Sequence, residues 1–175
     1  YLKDIQFSKV YSSSMSRPLE TAEIILGSMN LEINKIDNLV EISHGLWEGK
    51  LEKEIKDKWP ELLKDWHEHP DSVTMPEGES IREVAERSIS AWRSICKDQE
   101  ENDVTLLVAH DAVNKTLICN LLGLDFSNIW MIKQGNGGIT VIDIFNDPNK
   151  DNVVSSLNIT THLGSVLDPT AKGAL

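Results

Sequence analysis

Apolar positions along this chain alternate between strand-like and helix-like spacing. Residues 7–12 (Phe-Ser-Lys-Val-Tyr-Ser) are short and rich in β-formers, and from Ser16 onward Leu19, Ala22, Ile25, Leu26 and Met29 recur at helical spacing, with Ser16 as the expected N-cap. Residues 1–5 read as the tail of a preceding helix, and residues 36–49 as a loop with a short extended piece. Residues 50–69 read as helical, interrupted at Trp59-Pro60, where Pro60 can open a second helix. The turn Pro76-Glu77-Gly78-Glu79 leads into the clearest helix of the chain: Ser80 and Glu83 form a capping box, and Ile81, Val84, Ala85, Ser88, Trp92, Ile95 and Cys96 keep to one face.

The second half continues the alternation. Residues 104–109 form a continuous apolar run of strand length, as expected of a parallel strand buried on both faces. His110 comes at once after it, and a helix over 111–122 stops at Gly123. Residues 139–145 predict a strand, Asp147-Pro148-Asn149 a turn, and 153–160 a further strand; the tail to Leu175 has little pattern. Strands alternating with helices predict an α/β fold of three layers, α/β/α, around a mostly parallel sheet.

Composition narrows the function classes. The 175 residues suit one domain, 1–175, with room for a sizeable core, and 17 Lys and Arg against 28 Asp and Glu give a net charge of −11. Such a surface argues against nucleic acid or an anionic membrane as partner, though not against a small basic pocket. No apolar run approaches the roughly 18 residues of a membrane span, and no signal-like leader opens the chain, so a cytoplasmic location is expected. Cys96 and Cys119 lack any CxxC or metal spacing and read as two buried thiols, and the Asn158-Ile159-Thr160 sequon is then incidental.

Ligands of parallel sheets bind beyond the carboxyl ends of strands, where helix N-termini point. Two such junctions carry distinctive residues: Ser12-Ser13-Ser14-Met15-Ser16-Arg17 and Ala109-His110-Asp111. Both offer free backbone N–H groups and positive dipole ends, and an added guanidinium and imidazole suit a phosphate dianion. An Arg in the first turn of a helix opposes the dipole, which weakens its reading as a plain surface residue. His110 alone reads equally well as a satisfied core histidine. Other candidates are weaker. His67 and His69, two apart, do not share a helix face for a metal. The serines lack a G-x-S-x-G elbow, and Gly135-Asn136-Gly137-Gly138 precedes a strand, not a helix. Trp59, Trp66 and Trp92 read as core, and the charges of 48–65 as a solvated face.

Four segments in order resemble one family. Val10-Tyr11-Ser12-Ser13-Ser14-Met15-Ser16-Arg17-Pro18-Leu19-Glu20-Thr21-Ala22-Glu23-Ile24-Ile25 is similar to the second signature of the histidine phosphatase superfamily, the phosphoglycerate-mutase-like proteins. Glu41-Ile42-Ser43-His44-Gly45-Leu46-Trp47-Glu48-Gly49 resembles its acid/base segment, Pro76-Glu77-Gly78-Glu79-Ser80 its turn, and Leu107-Val108-Ala109-His110-Asp111-Ala112-Val113-Asn114 its second-histidine segment. The stretch from His110 through Gly138, with Thr161-His162-Leu163, is most similar to cyanobacterial and chloroplast members, which adds the chloroplast stroma as a location. The family's nucleophile is a histidine in an Arg-His-Gly motif at the end of the first strand, and this sequence contains no Arg-His-Gly. The chain is therefore read as an N-terminally incomplete member, lacking the first strand and most of the first helix, a unit of roughly 30 residues; a genuinely inactive relative is the other reading.

The resemblance implies a phosphatase acting on a small phosphorylated metabolite through a phosphohistidine. Arg17, with Ser13 and Asp111, would bind substrate; His110 would stabilise the phosphoryl charge; Glu41 would protonate the leaving oxygen and then activate water. No metal and no cofactor is implied. Asp111 stands where many members have Gly. A phosphoglycerate mutase and a non-catalytic phosphate-binding or interaction domain are the alternatives. The short segment between Gly49 and Pro76 favours an open pocket with water as acceptor. Substrate and oligomeric state stay open at this point.

Overall fold

Alternate residues of one short strand feed two different cores, and this sets the layers. The computed structural model of the chain describes residues 1–145, 147 and 149–164. Strand β1 (Lys9–Ser13) lies between β2 (Ile33–Ile36) and β3 (Thr105–Val108) in a parallel sheet of order β2-β1-β3. Val10 on one face packs, with Ile33, Leu106 and Val108, against Ala22 and Leu26 of helix α1 (Ser16–Leu26). Tyr11 on the other face joins Leu107 and Ile36 in the main core. That core is filled by helices α4 (Ile81–Lys97) and α5 (Asp111–Leu121) and by Ile55 of α2 (Glu52–Lys58) and Leu63 and Trp66 of α3 (Pro60–Glu68). The two-residue period of a strand thus builds the three-layer α/β/α arrangement. Strands β4 (Ile139–Asp143) and β5 (Val153–Ile159) pair antiparallel, and Ile142 and Ile144 pack against the main core.

The helices form where capping and periodicity predict. Ser80 Oγ accepts from the Glu83 N–H at 3.2 Å while Glu83 Oε2 accepts from the Ser80 N–H at 2.8 Å, the reciprocal box expected at the start of α4. Pro60 is the first residue of α3, after a break at Trp59. Trp66 and Trp92 are buried and Trp59 partly so.

Several local expectations are corrected. Residues 1–5 form a turn, closed by Ile5 N–H to the Leu2 carbonyl, and not a helix tail. Ser16 is the first helical residue of α1; Met15 holds the N-cap place without a side-chain bond, and its N–H donates to Ser13 Oγ at 3.3 Å. Residues 33–36 form β2, which their Ile-Asn-Lys-Ile order does not announce; pairing with β1 decides it. The expected loop over 36–49 contains two 3₁₀ turns, Asp37–Leu39 and Gly45–Trp47. β3 is only half-buried throughout, because among the described residues it pairs with β1 alone and its other edge lies open. The sheet is parallel in its three-stranded part, and the last two strands form a separate antiparallel pair. Pro148 and the tail beyond Gly164 lie outside the described residues. No described helix is long and apolar enough to cross a membrane.

Candidate active site

Strand register assembles the site. Ser12 pairs with Val108 and Ser13 with Ile36, so the carboxyl ends of β1, β2 and β3 stop at nearly the same level. Each strand end therefore delivers its next residues to one rim: Ser13 and the N-terminus of α1 from β1, the Glu41 segment from β2, and His110 from β3. His110 is the N-cap residue of α5 in extended conformation, which turns its side chain back across the strand ends. His110 Nε2 lies 3.0 Å from Ser13 Oγ, and its Nδ1 lies 4.0 Å from Glu41 Oε2. Ser13 and His110 are buried, Glu41 is half-buried, and Arg17 is exposed in the first turn of α1.

The charges of these groups are set by where they sit. Burial pushes His110 down from the ordinary 6.5 to about 4, helped by the positive charges of Arg17 and Arg87. The Glu41 carboxylate 4.0 Å away is too far for a hydrogen bond and does not reverse this. Glu41 is itself held above the ordinary carboxylate range, by burial first and then by the negative charge of Asp111; N–H groups of Ile42, Ala112 and Asp111 oppose the shift. A neutral imidazole beside a carboxyl that holds its proton more tightly than an ordinary glutamate suits a site that awaits an anion and then gives up a proton.

A hollow beside Glu41 is walled by Glu41, Ile42, His44, Trp66, Asp111 and Trp130, with Ile81, Ala112 and Ile129 completing it. Its cavity volume is about 20 Å³, room for about one water. Arg17, Ser13 and His110 stand outside that wall, with Ser13 meeting His110 directly. Trp66 and Trp130 meet edge to face at 5.2 Å, and Trp130 Nε1 donates to the Trp66 carbonyl at 2.9 Å. Asp111 begins α5 without capping it. Its Oδ2 accepts from Lys115 Nζ at 2.9 Å, one helical turn on, and that ammonium also lies 5.1 Å from the Trp130 ring. Among the described residues no group of three or more His, Cys, Asp or Glu gathers to hold a metal.

Sequence reasoning missed Trp130, Lys115, Glu79 and Arg87 as parts of this region. Lys115 carries a faint signal, four residues after Asp111 on one helix face. Arg87 carries none, since it faces the site from a helix whose pattern announces only a core.

Comparison with known proteins bears on the family. The profile of the histidine phosphatase superfamily (branch 1) matches residues 1–159. Phosphoserine phosphatase 1 of Hydrogenobacter thermophilus is 35% identical over 155 residues, 89% of this chain and 72% of that protein. A probable 2-carboxy-D-arabinitol-1-phosphatase of Arabidopsis thaliana is 34% identical over 142 residues, covering 81% of this chain but only 29% of that longer protein. Among solved structures, Bacillus stearothermophilus YhfR superposes with a TM-score of 0.80 at 28% identity, covering 88% of this chain and 75% of that one. With its signature segments meeting at the carboxyl rim of a parallel sheet, this chain belongs to the histidine phosphatase superfamily.

Proposed function

We propose that this chain forms the phosphate pocket and the proton-transfer group of a phosphomonoester phosphatase for a small phosphorylated metabolite. The nucleophile is a histidine outside these 175 residues, on a strand that pairs with the open edge of β3. The observation that supports this best is the meeting of Ser13, Glu41 and His110 at one strand-end rim. Phosphoryl transfer asks a protein mainly for positioned positive charge and donors around three equatorial oxygens. Arg17, the α1 and α5 N-termini, Ser13 and a His110 that gains a proton as the dianion arrives supply them.

In the first half-reaction the nucleophilic nitrogen bonds to phosphorus, the bond from phosphorus to the ester oxygen breaks, and Glu41 gives that oxygen its proton. In the second, Glu41 as carboxylate takes a proton from water, the water oxygen bonds to phosphorus, and the phosphorus–nitrogen bond breaks. Alcohol and inorganic phosphate leave, and Glu41 is protonated again. The leaving alcohol departs on the Glu41 side of the rim, where that carboxyl can reach its oxygen. The phosphatases named among the relatives act on small esters, phosphoserine and 2-carboxy-D-arabinitol 1-phosphate.

The test is a phosphomonoester panel run with this chain and with a chain extended upstream by an Arg-His-Gly strand–loop–helix unit. Turnover by the extended chain alone, lost on Arg17→Ala or His110→Ala, supports the proposal. Turnover by the 175-residue chain with labelled phosphate carried on His110 would overturn the assignment of roles. Transfer of phosphate between phosphoglycerate positions without net release would make the protein a mutase instead.

A further inference from the structure

We propose that Arg87 and Glu79 are the positioning pair that holds Glu41 against the phosphate pocket. The inference rests on Glu41 as proton donor and acceptor, and extends it to residues that touch no substrate. Arg87 projects from the second turn of α4 into the segment that carries Glu41. Its Nε and Nη2 donate to the two carboxylate oxygens of Glu79 at 2.8 and 2.9 Å, the forked geometry that only a guanidinium makes. The remaining donors are spent on the backbone of the Glu41 segment: Nη1 on the carbonyls of Asn38 and Val40 at 3.0 and 2.6 Å, and Nη2 on the carbonyl of Glu41 itself at 3.2 Å. Glu79 closes the ring from the other side, its Oε2 accepting from the Ser43 N–H at 2.9 Å. One ion pair therefore ties residues 38–43, otherwise without regular structure beyond one 3₁₀ turn, to the longest helix among the described residues.

The turn bearing Glu79 is itself seated by close contact. A Cβ at Gly45 would lie 2.2 Å from the Pro76 carbonyl oxygen, and one at Gly78 would lie 2.5 Å from the Ser43 carbonyl oxygen. The Glu79 N–H donates to the Ser43 carbonyl and the Leu46 N–H to the Pro76 carbonyl, each at 2.8 Å. Both sides of Glu41 are thus pinned: Asp111, His110 and the N–H groups of Ile42, Asp111 and Ala112 face its carboxyl, and Arg87 from α4 holds its main-chain carbonyl. A proton donor misplaced by about 1 Å loses on the order of a hundredfold in rate, so such a brace has a kinetic consequence.

Arg87→Lys keeps the charge but cannot bridge five acceptor oxygens, and Glu79→Gln keeps an acceptor for Ser43 while removing the charge. Both are made in the extended chain beside Glu41→Gln, and each is assayed on phosphoserine and on p-nitrophenyl phosphate, whose phenolate leaves without needing a proton. Arg87→Lys is expected to lower kcat for phosphoserine about tenfold or more, with KM nearly unchanged and a much smaller effect on the aryl ester, as in Glu41→Gln. Glu79→Gln shifts both in the same direction by less. Carbon-13 NMR of the Glu41 carboxyl in the 175-residue chain is the second readout: its titration moves down toward the ordinary glutamate value in both variants as the segment loosens into water. Equal slowing of the two esters, or an unmoved Glu41 titration, would overturn the proposal. If the extended parent chain hydrolyses neither ester, the phosphatase reading falls, and the carboxyl titration alone decides whether the pair positions Glu41.

Discussion

At the residue scale, His110 carries the plainest consequences. Its folded value of about 4 lies below the unfolded 6.5, so the unfolded chain takes up a proton first as the pH falls. Its neutral, buried state therefore loses stability between about pH 6.5 and 4, and no more below that, by about 3 kcal/mol in all. Glu41 works the other way: its folded value is raised, so acidification toward the ordinary carboxylate range returns stability. Urea melts at pH 7 and 4.5 should therefore show a larger loss for the parent chain than for His110→Asn; equal losses would mean that the imidazole is not held neutral. The same physics predicts that binding of sulfate, a dianion throughout this pH range, takes up protons near pH 6, because its charge offsets the positive field of Arg17 and Arg87. Calorimetric titration in two buffers of different ionisation enthalpy measures that uptake, and His110→Asn should remove most of it. His110 and Arg17 were legible as strand-end residues; the burial that mainly sets the proton on His110, and the smaller field of Arg87 that adds to it, were not, since both come from the packing of the fold.

At the scale of elements, those with strong local codes formed where their residues said they would. The capping box of α4 is one such code, and Ser80→Ala should cost about 1 kcal/mol, read as a lower urea midpoint with an unchanged slope. The contact of the turn at 76–79 with residues 43–46 is a different matter. No spacing rule shows that Gly78 lies against a carbonyl oxygen 2.5 Å from any added Cβ. Gly78→Ala must push the two segments apart. It should destabilise the fold by more than a surface substitution, about 1–3 kcal/mol, and slow an alkyl phosphomonoester in the extended chain more than an aryl one. β2 belongs to the same class: four residues with a polar middle become a strand because β1 offers an edge.

At the scale of the whole molecule, the open edge of β3 dominates. Residues 104–109 have the apolar run of a strand buried on both faces, yet β3 is half-buried and paired on one side among the described residues. An unpaired, apolar strand edge invites association between chains. The 175-residue chain is therefore expected to aggregate more readily, and to unfold with a shallower denaturant slope, than the extended chain in which an added strand covers that edge. Sedimentation and urea melts of the two compare them directly; a sharp melt from a monomer of the shorter chain would instead mark it as self-sufficient.

The sequence by itself determined the alternation of strands and helices, the caps, the two junctions that carry Arg17 and His110, and the segment that carries Glu41. These are written in periods of two and about four residues and in short motifs, which depend only on neighbours along the chain. Tertiary structure alone decided the register that stops three strands at one level, the distance from Ser13 to His110, and the neutral state of that imidazole. It also decided the reach of Arg87 to carbonyls 46 to 49 residues earlier in the chain. Such features join residues distant in sequence through packing and low-dielectric fields, and no local pattern encodes a distance across the fold.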